Sequence, residues 1–142
     1  MEKRNSMLRF VKPGFGTILP EDTRAHEEWI AELTGHDYAI EGWHCDLSTG
    51  IFSIGKMAQR IHALEQNLCG LLDIIRGYAE NHRKIVLSIL EEATASASSF
   101  CYCTDVALAS AGPVYCIGTS RIDIAAASGL MQGVFAFSSG GR

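Results

Sequence analysis

The last third of the chain constrains the fold most. From Ser98 to Arg142 only Asp105, Arg121, Asp123 and Arg142 carry charge. Three runs, "SSFCYCTDVALA", "PVYCIGTSRIDIA" and "LMQGVFAFS", are rich in β-branched, aromatic and small residues, and "SAGP" and "AASG" separate them. That spacing predicts a three-stranded antiparallel meander. An antiparallel sheet with one solvated face alternates apolar with clearly polar residues. These strands are too poor in charge for that, so something must cover their second face. Two covers are available: an apolar helix from elsewhere in the chain, or the sheet of a second subunit.

The upstream sequence supplies helices and two more strands. From Glu21 to Thr34 the residues Ala25, Trp29, Ile30 and Leu33 form one apolar stripe, acidic residues open the first turn, and Gly35 follows as a C-cap. Residues 38 to 54 read as a β-hairpin, with "YAIEGWHCDL" alternating, "STG" turning and "IFSIG" returning. Met57, Ala58, Ile61 and Leu64, then Leu68, Leu71, Leu72 and Ile75, fit short helices, and the pattern from Ala79 to Ala97 predicts a long one. Pro13, Gly14, Gly16 and Pro20 interrupt residues 1–20, which read as an arm.

The order is therefore two strands, several helices and three strands. The economical closure is an α+β fold: one five-stranded antiparallel sheet with helices on one face and an N-terminal flanking helix on the other. The divisions are an arm at 1–20, the flanking helix at 21–35, the sheet domain at 36–139 and a tail at 140–142.

Composition removes several function classes. At 142 residues, 47% hydrophobic and 20% charged, the chain suits one globular domain. A net charge of −4 argues against nucleic acid as a partner, despite Lys3, Arg4, Arg9 and Lys12 in the arm. The start lacks the apolar region of a signal peptide and no later stretch suits a bilayer, so a cytoplasmic protein is expected. Five cysteines, an odd number, fit reduced thiols. No nucleophile elbow, P-loop, dinucleotide fingerprint or framed carboxylate pair marks an enzyme.

Three stretches resemble a PAS domain, a small sensory module of bacterial signalling proteins. "GWHCDLSTGIFSIG" is similar to an opening hairpin written Gly-x-Trp-x-x-Asp with a glycine turn. "LLDIIRGYAENHRKIVLSILEEATASASSFCYCTDV" is similar to a short helix, a corner, a long helix and a strand starting at Phe. Here Tyr78-Ala79-Glu80-Asn81-His82 stands in place of the usual His-Pro-Asp-Asp-Arg. "GPVYCIGTSRIDIAAASGLMQGVFAFS" resembles the last two strands, ending in Phe137-Ser138-Ser139 where effector-linked relatives show Asp-Ile-Thr.

The resemblance implies a non-catalytic module that senses a signal or binds a protein, through a small ligand, through homodimerisation, or both. It implies a pocket between sheet and helices lined by Met57, Ile61, Leu72, Phe100, Tyr102 and Ile117. It also implies a dimer contact at the flanking helix, through Trp29, Ile30 and Leu33, and a signalling protein as a further partner. Haem-binding relatives take an axial histidine from the region of His82, thin support for haem on its own. The flavin photosensors' Asn-Cys-Arg-Phe-Leu has no match, so flavin is not expected.

Two alternatives stay open. A small enzyme would use Asp46 or Asp105 as a base in an α+β pocket. A redox or metal sensor would use Cys45, Cys101, Cys103 and Cys116, although a one-residue gap along a strand splays thiolates more than a zinc knuckle tolerates. Cys69 reads as packing, no metal site is expected, and His26, His36 and His62 read as surface residues.

Overall fold

The structure, a computed structural model, describes residues 12–21, 23–35, 38–107, 112–123 and 125–138. Lys3, Arg4, Arg9, His36 and the tail at 140–142 lie outside them. The described residues form seven strands: β1 (Phe15–Pro20), β2 (Tyr38–Asp46), β3 (Ile51–Ser53), β4 (Leu68–Cys69), β5 (Ser98–Asp105), β6 (Pro113–Asp123) and β7 (Ser128–Ser138). Four α-helices accompany them: α1 (Thr23–Thr34), α2 (Lys56–Ile61), α3 (Leu71–Arg76) and α4 (Arg83–Ala95), the last preceded by a 3₁₀ turn at Glu80–His82.

All the strands join one antiparallel sheet in the order β1-β5-β6-β7-β2-β3-β4. This corrects the five-stranded expectation by one strand at each edge. β1 lies inside the segment read as an arm. Its interruptions have structural reasons. Pro13 and Gly14 form the turn before the strand, and Pro20 is its last residue on an outer edge, where a missing N–H costs no ladder bond. Gly16 sits where a Cβ would collide with Ile89, the Cys101 carbonyl and Tyr102. Only glycine lets the strand lie this close to α4, which packs against β1, β5 and β6. β4, at the other edge, is two residues long and too short to leave a period.

Strand alternation splits the core in two. The face carrying Trp43, Cys45, Phe52, Phe100, Tyr102, Cys116 and Phe135 packs against Ala58 of α2, Ile74 and Ile75 of α3, and Val86, Ile89, Leu90 and Ala93 of α4. The opposite face presents Cys101, Cys103, Ile117 and Ala136 to Trp29 and Leu33 of α1. The charge-poor strands thus have their second cover within one chain, since α1 rests on β5, β6 and β2.

Trp43 anchors the first face. Its ring lies where a Cβ on Gly118 would collide, with the Phe52, Phe100 and Phe135 rings 5.6, 6.2 and 5.9 Å away between centroids. Aromatic rings therefore fill the middle of the space between sheet and helices.

Candidate functional site

Away from that filled centre, a cleft of about 240 Å³ opens at the margin of the helical layer. The last residue of α2 and its cap supply Ile61 and His62, the following turn Leu64, α3 Asp73 and Arg76, and the stretch just after β5 Ala107.

Local chemistry fixes each wall. α2 starts under a side chain from another element: Glu41 on β2 accepts the Met57 N–H at 3.1 Å and the Ala58 N–H at 2.7 Å, satisfying two of the free donors of a helix start. The helix stops at His62, and Ala63 follows with φ 57°, a left-handed conformation that costs a non-glycine residue about 1–2 kcal/mol. α3 starts at Gly70, whose N–H reaches Asp73 Oδ2 at 2.9 Å, and stops at Gly77. A Cβ on Gly77 would lie 3.0–3.2 Å from His62 atoms, so glycine lets the α3 end rest on the histidine. The Ala107 N–H bonds the Gly77 carbonyl at 2.7 Å, and Tyr78 bridges Val106, tying this corner to β5.

His62 is 2% exposed and corrects its reading as a surface residue. Its position was legible: Ala58, Ile61 and His62 share one helical stripe, so the imidazole follows Ala58 inward. Nδ1 lies 2.7 Å from the Ala58 carbonyl, which can only accept, so Nδ1 carries the proton. Burial pulls the pKa of His62 down to about 4, leaving the ring neutral at pH 7 with a lone pair on Nε2. Tyr78 OH, 2.9 Å away, must then donate to Nε2. With its proton committed, Tyr78 accepts from Tyr102 OH at 2.7 Å. The Cys116 thiol interacts with the Tyr102 hydroxyl at the far end. Burial holds both phenols well above their usual range. The result is a one-directional chain of hydrogen bonds, sealed from water, from the cleft wall to β5 and β6 in the sheet.

The structure scatters the other candidates. Met57 and Ile61 are partly buried on the helical side, and Phe100 and Tyr102 are fully packed there. Leu72 is 61% exposed. Ile117 pairs with Cys101, so it faces α1 on the opposite side of the sheet from Phe100 and Tyr102. Only Ile61 of the six lines the cleft. Trp29 and Leu33 are buried against their own sheet, and Ile30 is partly buried beside them.

The thiols divide likewise. Cys101 and Cys103 face α1, whereas Cys45, Cys69 and Cys116 face the other helices. All five are buried and free. Burial raises Cys45 and Cys69 to about 11 and Cys101 and Cys103 to about 12, which disfavours the thiolate needed for metal ligation or oxidation. No group of three metal-ligating side chains occurs among the described residues.

His82 stands just before α4, but its ring is held by the fold. Nδ1 accepts the Asp105 N–H at 3.2 Å, and a Cβ on Gly14 would meet Nε2 at 2.9 Å. An axial ligand needs that nitrogen open, so the ring as packed does not fit haem. His26 is half-buried on α1. Asp46 and Asp105 are exposed and neither lines the cleft. Two hydrogen bonds from Ser48, the side-chain one first, lower the pKa of Asp46 and mark it as a turn former. Among the described residues, no helix is long and apolar enough to cross a membrane.

Compared with known proteins, the chain matches no family model, and no curated protein is significantly similar to it.

Proposed function

We propose that this chain is a non-catalytic signal-sensing module of the PAS kind, working in the cytoplasm of a bacterial signal-transduction system. A small molecule held in the cleft between α2 and α3 biases how the helical layer sits on the sheet. The observation that carries this reading is the buried chain from His62 through Tyr78 to Tyr102. A binding wall made of loosely held surface groups would change nothing beyond itself. Here the wall residue is hydrogen-bonded through Tyr78 to Tyr102, on a strand whose other face carries α1. A ligand that prefers one arrangement of His62 over another therefore acts on the sheet through a defined contact, which is what a population shift requires.

The five cysteines, all free, suit a reducing compartment. The quoted resemblance of residues 42–55, 71–106 and 112–138 supports the sensory class. A second copy or a signalling partner would read the state at the surface α1 leaves outside, because Trp29 and Leu33 already serve inside one protomer.

The test is a small-molecule mixture screen on ¹⁵N-labelled protein. Binders should shift the amides of residues 61–64 and 73–77 and carry the perturbation to residues 100–104. Perturbations confined to the cleft, or no binder there, would overturn the reading.

A further inference from the structure

Resting on that sensing role for the cleft, we propose that its ligand is a small organic monocarboxylate, with the carboxylate on Arg76 and an apolar body against Ile61, Leu64 and Ala107. The volume of about 240 Å³ corresponds to about eight liquid waters, below the usual range for drug-sized ligands. It suits a single ring or a short branched chain.

The polar groups decide the sign of the ligand. Asp73 has both oxygens engaged: Oδ2 accepts the Gly70 N–H at 2.9 Å, and Oδ1 accepts from Arg76 Nη2 at 3.1 Å. Each oxygen keeps a further lone pair, but a ligand cation there would sit beside the Arg76 guanidinium that already partners Asp73. Arg76 is held at two points, by that bond and by Nε donating to the Leu72 carbonyl at 3.4 Å. Among the described residues, no hydrogen-bond partner meets its Nη1. The guanidinium is thus pre-positioned with donors to spare, the arrangement that planar carboxylate recognition uses. A second cation stands behind it. Arg83 donates from Nε to the Tyr78 carbonyl at 2.9 Å and from Nη2 to the Arg76 carbonyl at 3.2 Å, fixing the backbone at the end of α3 from which Arg76 projects.

The rest of the wall disfavours a strongly hydrated anion. Ile61, Leu64 and Ala107 bring aliphatic surface, and His62 is neutral, with both ring nitrogens engaged. Bare phosphate or sulfate would lose water along these surfaces and regain hydrogen bonds only at Arg76. A carboxylate on a hydrocarbon body matches both parts.

The experiment titrates ¹⁵N-labelled protein with benzoate, benzamide and benzylamine, which share a ring and differ in charge, and with inorganic phosphate. Benzoate should shift the Arg76 Nε–H and the amides of residues 61–64 and 73–77. Benzamide should bind about tenfold more weakly, the loss of one charge-assisted contact. Benzylamine and phosphate should not saturate. Arg76→Gln, exposed and so expected to keep the fold, should bring benzoate down to the affinity of benzamide, and Arg76→Lys should recover part of it. Equal binding of benzoate and benzamide in the cleft, or an Arg76→Gln protein that binds benzoate normally, overturns the carboxylate and leaves the sensing role standing. Absence of any cleft shift from all four probes removes both.

Discussion

Removing the Tyr78 hydroxyl is the sharpest test of the buried chain, because the direction of the chain fixes what each deletion orphans. In Tyr78→Phe, His62 Nε2 loses its donor and the Tyr102 O–H loses its acceptor. Each unsatisfied buried polar group costs about 1–3 kcal/mol. The Tyr102 proton can turn to the Cys116 sulfur, a weak acceptor, so a total of about 2–4 kcal/mol is expected. In Tyr102→Phe, Tyr78 still donates to His62 and loses only an incoming bond, worth about 1 kcal/mol. The double variant leaves no orphaned Tyr102 proton, so it should cost less than the sum by about 1–2 kcal/mol. Urea unfolding at pH 7.5 measures all three, with buried Trp29 and Trp43 as reporters. The opposite tautomer, with Nε2 donating, would make Tyr78 donate to Tyr102 and render the two single deletions comparable. Comparable costs, or additivity within about 0.5 kcal/mol, would refute the assigned direction.

Acid should weaken the fold through His62. Its pKa of about 4 lies below the ordinary 6.5, so its contribution is complete above pH 6.5 and is lost as pH falls toward 4, on the order of 3 kcal/mol. Urea midpoints from pH 7.5 to 4.5 should show that loss, and His62→Gln should show a smaller one. Alkali acts through the thiols: raised from 9.0 to about 11 or 12, they contribute fully below pH 9, and that stability fades as pH rises toward 11–12. Ellman's reagent at pH 8 should therefore modify cysteines only as fast as the protein opens; rapid modification of the native state contradicts the burial. Glu41→Ala should cost about 1 kcal/mol by uncapping α2, read by urea unfolding, and a neutral result would show that water serves as well. Trp29→Asp should abolish cooperative unfolding rather than merely separate subunits, since it puts a charge at a site 1% exposed; a stable folded variant on a sizing column would place Trp29 outside the core.

The sequence was most legible where one period ran long enough. The Ala25, Trp29, Ile30 and Leu33 stripe yielded α1, the alternation around Trp43 yielded β2, and charge-poor runs yielded β5 to β7. β1 was hidden because Gly16 and Pro20 read as breakers, when one admits α4 and the other ends an edge. The face of Ile117 was hidden for a different reason: a strand's own alternation does not say which partner residue it will oppose, and its register with Cys101 decides. Of the site, Ile61 was legible as an apolar residue on the inward stripe of a short helix. His62 could have been found from its place beside Ala58, but Tyr78 and Arg76 had no signal, since only the packing of Gly77 on His62 brings α3 against α2.

Buried polar chains are a poor way to gain stability, and this one should prove replaceable. His62→Leu, Tyr78→Phe and Tyr102→Phe together remove every partner at once and leave no orphaned group among the three. Replacing both ends of a hydrogen bond by apolar groups is close to neutral, so the triple variant should be more stable than Tyr78→Phe alone by about 1–3 kcal/mol. If the chain exists to couple the cleft to the sheet, the stability regained brings no function with it. A cleft ligand should still bind the triple variant, because Arg76, Leu64 and Ala107 are untouched, but amide shifts at residues 100–104 should vanish. Urea unfolding and the ¹⁵N titration read the two quantities separately. A triple variant that still carries the perturbation into β5 would show that helix packing transmits the signal and that the hydrogen bonds only fix the geometry of the core.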